Sequence, residues 1–324
     1  MPNAEDLRWL EMAARLAARG RPLSRPNPAV GAVLVKDGRV IGRGWTQPGG
    51  RPHAEAMALN AAGEAARGAT LHVSLEPCAH ASPRGPACAD LVAAAGLARV
   101  VVGCHDPDPR TAGEGIARIR ASGTAVALVE SRACAESLAG YLARVRLGRP
   151  HVTLKLALSL DGCIALANGQ SQWLTGAESR AHVHAERARA DAILVGGGTL
   201  RADAPRLDVR LPGLESRSPA RWVLTRSAAP EGWQALAAPE GIAAMASAQY
   251  LYVEGGAQTA AAFLKADLVD RLMIYRAPIL VGGGLPGLGD LGLASLAEAH
   301  GRWRACDSRG LGKDRLEVYE RCRS

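Results

Sequence analysis

The stretch "LEPCAHASPRGPACADL" (residues 75–91) joins a predicted strand to a predicted helix. The strand is "TLHVSL" (70–75) and the helix is "CADLVAAAG" (88–96). Cys78 and Cys88 stand ten positions apart, and the residues between these two cysteines include two prolines and a glycine, so they cannot form a regular helix or strand. The same alternation of strand, loop and helix continues in both directions along the chain, and it predicts an α/β fold.

The first half of the chain has the pattern of a mixed sheet flanked by helices. Asn3 and Asp6 can cap a helix over about residues 4–19. The Asp37-Gly38 pair between two apolar runs predicts a hairpin. Further helices are predicted at about 53–66, 88–96, 115–123 and 132–143, and further strands at 70–75, 99–103 and 125–129. The pattern closes near residue 147 and predicts a first domain over residues 1–147.

A second α/β domain is predicted over residues 151–324, after a linker with the sequence "LGRP" (147–150). Its strands are expected within 151–162, 191–198, 220–225, 250–256 and 270–280, and its helices at 177–189 and 257–266. Residues 228–248 are rich in Ala and Pro and have weak periodicity, so we expect a variable connection there.

Composition narrows the class of protein. The chain has 324 residues and a formal net charge of +8, but its 39 Lys and Arg are dispersed and it has a single Phe. A platform for stacking nucleic-acid bases is poorly supplied, so we expect no nucleic-acid partner, and the positive charge suits phosphorylated small molecules. The chain starts with no apolar run of signal-peptide or membrane-span length, so we expect a cytoplasmic protein without a membrane partner.

The cysteines point to a metal site. Seven cysteines, an odd number, fit a reducing compartment, where a close pair is more often metal-binding or catalytic than cross-linked. Upstream of the pair stands "HAE", with His53 and Glu55. One His and two Cys match a catalytic zinc site that keeps a position for water. We therefore predict His53, Cys78 and Cys88 as zinc ligands and Glu55 as the catalytic proton carrier of a hydrolytic deaminase.

These motifs resemble the bifunctional riboflavin-biosynthesis deaminase/reductase family over nearly the whole chain. The resemblance rests on "PNPAVGAVLV" (26–35), "HAE" (53–55), "LEPCAH" (75–80), "CADL" (88–91) and "DPDPRTAGEGI" (106–116), and further on "KLALSLDG" (155–162), "SQWLT" (171–175) and "VEGG" (253–256). It implies a cytidine-deaminase-like N-terminal domain with a mixed sheet and a dihydrofolate-reductase-like C-terminal domain. It also implies one zinc ion per chain, NADPH as the second cofactor, and a homo-oligomer formed through the reductase domain.

The resemblance further implies the reactions. The first is hydrolytic deamination of 2,5-diamino-6-(5-phosphoribosylamino)pyrimidin-4(3H)-one at C2. The second is reduction by NADPH of the ribosyl group of 5-amino-6-(5-phosphoribosylamino)uracil to ribityl. The phosphoribosylaminopyrimidine in each case is the expected small-molecule partner.

Substrate contacts of the first half are implied at four positions, namely Asn27, His80, Arg84 and Asp106. An arginine can hold a phosphate through two hydrogen bonds, which makes Arg84 the expected phosphate contact. The chain departs from the family at three places. Nine residues separate the cysteines where the family usually has eight, which reshapes the loop around 81–83, Asp108 stands where Asn is usual, and Thr46 where His is usual. These departures bear on substrate affinity more than on chemistry.

In the second half, "LVGGGTLRADAPRLDVR" (194–210) begins as a strand and opens into three glycines, a loop whose backbone can approach a phosphate. The dinucleotide fingerprint is incomplete, because Arg201 holds its third glycine position. The resemblance implies an NADPH site at Leu158, Trp173, Thr199, Asp203, Gly255 and Gly256. It implies contacts to the reductase substrate from Ser171, Arg187, Leu207, Arg210 and Glu254.

Some assignments have alternatives on sequence alone. Arg210 can bind the substrate phosphate or the NADPH 2′-phosphate, and Trp173 can be a core residue instead of a nicotinamide neighbour. Lys155 can be an ordinary strand residue, and Thr225 or Ser227 can add a cofactor contact. For the whole chain the alternative is a base deaminase that acts on nucleic acid, and for the C-terminal half it is a nucleotide-binding or dimerisation module.

Overall fold

The computed structural model describes residues 3–80 and 82–323. The chain forms two compact units, Met1–Gly148 and Arg149–Ser324. No helix of the described residues has both the length and the apolar character that a membrane span requires.

The first unit is built on a five-stranded mixed sheet with the strand order β2-β1-β3-β4-β5. The strands are β1 (Gly31–Lys36), β2 (Arg39–Trp45), β3 (Thr70–Val73), β4 (Arg99–Val102) and β5 (Ala125–Leu128). β1 is antiparallel to β2 and β3, whereas β3, β4 and β5 are parallel. The prediction of a mixed sheet is confirmed.

The hairpin between β1 and β2 turns at the predicted dipeptide. Asp37 and Gly38 both have positive φ, 51° and 71°. Two consecutive left-handed residues are the requirement of a two-residue hairpin turn whose twist matches that of the strands. The dipeptide therefore fixes the pairing of β1 with β2.

Helices cover the first sheet. They are α1 (Ala4–Ala17), α2 (Ala54–Ala62), α3 (Cys88–Ala94), α4 (Glu114–Ala121), α5 (Arg132–Ser137) and α6 (Ala139–Leu147). The expected capping box is present, because the Asp6 N–H donates to Asn3 Oδ1 at 2.7 Å and the Asn3 N–H donates back to Asp6. The single helix predicted over 132–143 is instead two helices that break at Leu138, whose side chain is buried in the core.

The second unit has an eight-stranded sheet with the order β10-β9-β8-β11-β6-β12-β15-β14. The strands of this unit are β6 (His151–Leu158), β7 (Cys163–Ala165), β8 (Ala192–Gly196), β9 (Ala220–Leu224), β10 (Gln234–Leu236), β11 (Tyr250–Val253), β12 (Arg271–Arg276), β13 (Leu285–Pro286), β14 (Trp303–Leu311) and β15 (Asp314–Arg321). β7 and β13 form a separate two-stranded sheet. In the large sheet β15 is antiparallel to both its neighbours, and the other pairs are parallel.

The described residues of the second unit form three α-helices, α7 (Ala177–Arg187), α8 (Gly197–Asp203) and α9 (Ala257–Lys265). The expected glycine loop is therefore wrong in part, because Gly196 precedes α8 and the next two glycines form its first turn. The expected variable connection over 228–248 contains β10 and a 3₁₀ turn, Pro239–Ala244. The β14–β15 hairpin had no counterpart in the sequence-based expectations.

The segment 147–150 is more ordered than a linker. Leu147 is the last residue of α6, and Gly148 ends that helix with a φ of 68°. Arg149 is buried, and its guanidinium donates to both carboxylate oxygens of Asp270 at 2.7 and 3.0 Å. Arg149 thus packs within the second unit, directly before β6.

Candidate active sites

Three metal-binding side chains meet in the first unit. His53 directly precedes α2, Cys78 follows β3 through a short loop, and Cys88 is the first residue of α3. His53 Nδ1 lies 3.6 Å from Cys78 Sγ and 3.3 Å from Cys88 Sγ, and the three ligand atoms are within 4.8 Å of one another. Within residues 3–80 and 82–323 no other group of three or more His, Cys, Asp or Glu has this geometry.

The chemistry of this cluster fits a zinc ion. One nitrogen and two sulfur ligands leave a fourth tetrahedral position open, as in catalytic zinc sites. A hydrogen bond from the Cys88 thiol, aided by His53, lowers the pKa of Cys78 below that of an ordinary thiol, so Cys78 favours the anionic form that binds metals, whereas the same hydrogen bond and burial raise the pKa of Cys88. The Asn27 side-chain amide lies 3.0 Å from His53 Nε2 and orients the ring.

Glu55 lies in the first turn of α2, beside the cluster. Its side chain is buried, and its Oε2 atom has no hydrogen-bond partner among the described residues. Burial raises the pKa of Glu55 to about 7, against the opposing charge of His53. A carboxyl group with a pKa near neutrality can both take up and release a proton during a reaction.

A cavity of about 260 Å³ opens onto the cluster. Its lining residues are Pro26, Asn27, Pro28, Val30, Thr46, His53, Glu55, Leu75, Glu76, Cys78, His80, Asp106, Asp108, Arg110 and Tyr141. The cavity lining thus includes Asn27, His80 and Asp106, the substrate contacts implied by the resemblance, together with Glu55. Arg84 is not part of this lining; its guanidinium donates to the Gly49 carbonyl oxygen at 2.7 Å. Residue 81 of the longer cysteine loop lies outside the described residues.

Two residues that sequence reasoning missed shape this cavity. The Tyr141 hydroxyl, carried by α6, donates to Asp106 Oδ1 at 2.7 Å. Glu76 is buried and accepts hydrogen bonds from the N–H groups of Asp106, Gly113 and Ile116 at 3.1–3.3 Å. The partners lie 30 to 40 residues away from these side chains, so no local pattern reveals them.

A second cluster of charged side chains lies in the second unit. Arg187 of α7 is buried and donates to the partly buried Glu254 through Nε at 2.6 Å and Nη2 at 2.9 Å. Lys155 of β6 places Nζ 3.9 Å from Glu254 Oε2. Burial lowers the pKa of Lys155 in spite of this carboxylate. Lys155 is thus more than an ordinary strand residue, because it shares the carboxylate with Arg187.

The two glycine segments predicted to hold a cofactor meet at the carboxyl ends of β8 and β11, which are adjacent parallel strands. A methyl group on Gly196 would lie 2.1 Å from Thr259 Oγ1, and one on Gly255 would lie 2.4 Å from the Thr259 Cβ. Thr199 Oγ1 lies 3.4 Å from the place of a methyl group on Gly256. Both turns open into helices, α8 and α9, so backbone N–H groups gather at this edge, where dinucleotides commonly bind.

The remaining predicted residues of the second unit divide by exposure. Leu158 and Leu207 are buried, whereas Ser171 is half-buried and Asp203 is exposed. Trp173 is 64% exposed, with the Arg180 guanidinium 4.9 Å from its ring centre, and this exposure rules out a core role.

Arg210 is an exposed residue of the second unit. Its Nε lies 3.5 Å from Asp208 Oδ1, in an open cavity of about 510 Å³. The backbone nitrogen of Arg210 lies 3.2 Å from His184 Nδ1. This position is open to a solute and is consistent with either of the two phosphate assignments made from the sequence.

Comparisons with known proteins agree with these two sites. Residues 3–104 match the family described as the cytidine and deoxycytidylate deaminase zinc-binding region. Residues 150–239 and 241–314 match the RibD C-terminal domain. The fold and the sites thus define a two-domain α/β enzyme in which a deaminase domain precedes a reductase domain.

Relatives match over most of the chain. The chain is 37% identical over 345 residues to riboflavin biosynthesis protein RibD of Escherichia coli strain K12, covering 91% of this chain and 94% of the relative. It therefore belongs to the RibD family of riboflavin-biosynthesis proteins. It is 36% identical over 357 residues to the Aquifex aeolicus strain VF5 protein, with 98% of each chain covered.

Solved structures give the same result. Acinetobacter baumannii RibD, form 1, superposes with a TM-score of 0.85 at 32% identity, covering 98% of this chain and 99% of that one. A Thermotoga maritima diaminohydroxyphosphoribosylaminopyrimidine deaminase/5-amino-6-(5-phosphoribosylamino)uracil reductase superposes with a TM-score of 0.87 at 30% identity, with the same coverage. The predicted family, fold class and bifunctional riboflavin-pathway enzyme are confirmed.

Proposed function

We propose that this chain carries out two successive reactions on one pyrimidine nucleotide. The first domain, predicted as residues 1–147, removes the 2-amino group of 2,5-diamino-6-(5-phosphoribosylamino)pyrimidin-4(3H)-one as ammonia. The second, predicted as residues 151–324, reduces the ribosyl group of 5-amino-6-(5-phosphoribosylamino)uracil to ribityl with NADPH. The observation that carries the proposal is the His53–Cys78–Cys88 cluster with the buried Glu55 at the foot of a cavity. The Thermotoga maritima relative bears the names of both activities.

In the deaminase domain, His53, Cys78 and Cys88 would hold one zinc ion per chain. When bound, zinc lowers the pKa of a coordinated water to about 7 and so makes a nucleophile available at neutral pH. Glu55 takes the proton from the attacking water and delivers it to the leaving amino nitrogen. Its buried carboxyl group, with a pKa raised to about 7, suits both transfers.

The substrate of the deaminase would be held by Asn27, His80 and Asp106, which line the cavity. Asp106 is fixed by the Tyr141 hydroxyl and so presents its carboxylate in one orientation. Burial raises the pKa of Asp106, although the hydrogen bond from Tyr141 opposes this. Arg84 remains a predicted contact from the loop between the two cysteines.

In the reductase domain, Ser171, Arg187, Leu207, Arg210 and Glu254 would contact the substrate. NADPH would lie along Leu158, Trp173, Thr199, Asp203, Gly255 and Gly256, and when bound it supplies a hydride to C1′ of the ribose. The glycine turns at the ends of β8 and β11 support this site, because these adjacent parallel strands lead into helices α8 and α9, whose first backbone N–H groups can meet a phosphate. Glu254 is held ionised there: burial opposes ionisation, but Arg187 and Lys155 outweigh it and lower the pKa of Glu254.

The setting of the enzyme is also part of the proposal. The seven cysteines are free thiols, which suits the cytoplasm, and the chain would act on small molecules without a nucleic-acid or membrane partner. Its basic character would raise the local concentration of phosphorylated substrates. Homo-oligomers would form through the reductase domain.

One assay tests both reactions. The purified chain is given the diaminopyrimidine with NADPH, and ammonia release and NADPH oxidation are followed together with zinc analysis. We expect equal amounts of ammonia and oxidised NADPH, and about one zinc per chain. With the deaminated uracil derivative, NADPH oxidation should proceed without ammonia. Ammonia release without NADPH oxidation on either compound would favour a nucleotide-binding or dimerisation module in the second half.

A further inference from the structure

The cavity of the first unit has an unusual balance of charge for a site that receives a phosphorylated substrate. Four carboxylate residues line it, namely Glu55, Glu76, Asp106 and Asp108. Among the described residues of the lining, Arg110 is the only arginine or lysine. A phosphate ester needs a cationic or N–H-rich partner, and an arginine offers both.

Arg110 is anchored at the cavity by its neighbour. Its Nε lies 3.0 Å from Asp108 Oδ1 and 3.1 Å from Oδ2, and its Nη2 also donates to Oδ2. The Asp108 N–H in turn donates to Asp106 Oδ1 at 3.0 Å, so the pair is tied to the predicted substrate contact Asp106. Arg110 Nη1 has no hydrogen-bond partner within the described part of the chain, which leaves N–H groups for an anion.

Arg84 is placed less well for this task. Arg84 is exposed, as Arg110 is, but it does not line the cavity and it uses its Nη1 on the Gly49 carbonyl oxygen at 2.7 Å. Asp108 adds a further consideration, because it stands where the resemblance leads one to expect a neutral Asn. A carboxylate near a phosphate is unfavourable unless a cation lies between them, and Arg110 is that cation.

We propose that Arg110 binds the phosphate of the deaminase substrate and that Asp108 is a positioning residue that holds its guanidinium. The inference rests on the proposed function and adds to it the residue that selects phosphorylated over unphosphorylated pyrimidines. The phosphate oxygens would accept hydrogen bonds from Nη1 and Nη2, while Nε stays with Asp108. The site would thereby discriminate by charge at a point distant from the amino group that leaves.

The test compares the phosphoribosylaminopyrimidine with its dephosphorylated ribosyl counterpart in the deaminase assay. Arg110→Gln should raise KM for the phosphorylated compound about 10-fold or more, the worth of a charge-assisted hydrogen bond. For the dephosphorylated compound KM should change by less than about twofold, and kcat should hold for both. Arg118→Gln is the matched control, because Arg118 is exposed, pairs with Asp90 at 2.9 Å and does not line the cavity.

Two further variants separate the alternatives. If Arg110 serves only to neutralise Asp108, the double variant Asp108→Asn with Arg110→Gln should regain the wild-type KM, and the proposal is overturned. If Arg110 binds the phosphate, the double variant keeps a raised KM. A raised KM in Arg84→Gln together with an unchanged Arg110→Gln would assign the phosphate to Arg84 and also overturn it.

The outcome is distinct from a failure of the proposed function. A wild-type chain that releases ammonia from neither pyrimidine contradicts the proposed deamination. A wild-type chain that prefers the phosphorylated compound, with the preference intact in Arg110→Gln, contradicts this inference alone.

Discussion

At the scale of single residues, we expect Glu55 to be required for turnover by the first unit but not for binding of the metal. It lies two positions after a predicted zinc ligand, His53, yet its carboxylate contributes no atom to the three-ligand cluster. Its buried and unpaired Oε2 atom is the kind of group that a structure without a catalytic task would avoid.

Replacement of this carboxyl group by an amide tests that expectation. Glu55→Gln keeps the size of the side chain but cannot carry a proton, so we expect deamination to fall by about 10²–10⁴-fold. Elemental analysis should still find zinc at the wild-type ratio, because His53, Cys78 and Cys88 are untouched. Glu64→Gln, at an exposed position after α2, is the control and should be fully active. Loss of zinc from Glu55→Gln would instead make Glu55 a ligand.

Residues that are close in sequence to a motif were predictable, and residues held by distant contacts were not. The order His53, Cys78, Cys88 predicted a cluster that the structure brings within 4.8 Å. Tyr141 and Arg187 depend on partners 35 and 67 residues away, Asp106 and Glu254. The resemblance to a family supplied Arg187 and Glu254 separately, but it did not supply their ion pair.

At the scale of elements, the second unit depends on the close approach of β8 to α9. Gly196 ends β8, and Thr259 lies in the first turn of α9. Because a methyl group at Gly196 would lie 2.1 Å from Thr259 Oγ1, this contact admits no larger residue without a shift of the helix or the strand. The proposed cofactor site sits on the same two elements.

A pair of substitutions isolates this contact. Gly196→Ala should destabilise the second unit by about 1–3 kcal/mol, because overpacking forces backbone shifts. Thr259→Ala removes the hydroxyl, and the next atom, Thr259 Cβ, is at 3.5 Å, so the double variant should regain most of the loss. Thermal unfolding and NADPH titration measure the effect.

The control for this pair lies in the next helix. No described atom is within 4 Å of a methyl group placed on Gly198, so Gly198→Ala should leave the unfolding temperature unchanged or raise it. A Gly196→Ala variant as stable as the wild type would show that the two elements can move apart without cost.

Helices and strands could be predicted where the residues of the element itself have a recognisable sequence pattern. The β1–β2 hairpin could be predicted, because Asp37-Gly38 is a dipeptide specific to tight turns. The β14–β15 hairpin could not be predicted. No residue of β14 is buried, so this strand lacks the alternation of apolar and polar positions by which a strand is identified. The glycines of α8 suggested a loop, because their low helix propensity hides a helix that follows directly on β8.

At the scale of the whole molecule, each compact unit has a hydrophobic core of its own, which predicts that the second can fold as a fragment. The boundary matters for its stability. A fragment that begins at His151 lacks Arg149 and leaves the buried Asp270 with fewer partners. We expect it to be less stable than a fragment that begins at Arg149 by about 1.5–3 kcal/mol, the worth of hydrogen bonds to a charged group.

The pH dependence of unfolding tests whether the Arg149–Asp270 ion pair causes this difference in stability between the two fragments. Burial opposes ionisation of Asp270, but the hydrogen bonds and charge of Arg149 outweigh it and lower its pKa to about 2. Since the pKa in the folded state is below that in the unfolded state, about 3.9, the contribution is present above about pH 4 and is lost as pH falls towards 2. The longer fragment should lose more stability in this window. Its Arg149→Met variant should match the shorter fragment; equal slopes in all three would contradict the role of the ion pair.

The hairpin of the first unit has a practical consequence that follows from register. Val35, near the end of β1, pairs with Thr70 at the start of β3, whereas Cys78 follows the other end of β3. Along the strand direction, the Asp37-Gly38 turn therefore lies at the end of the sheet opposite to the metal cluster. A methyl group on Gly38 would meet no described atom within 4 Å. A short peptide tag inserted between these two residues would give an affinity handle or a fluorophore position on the deaminase domain while leaving its cavity intact.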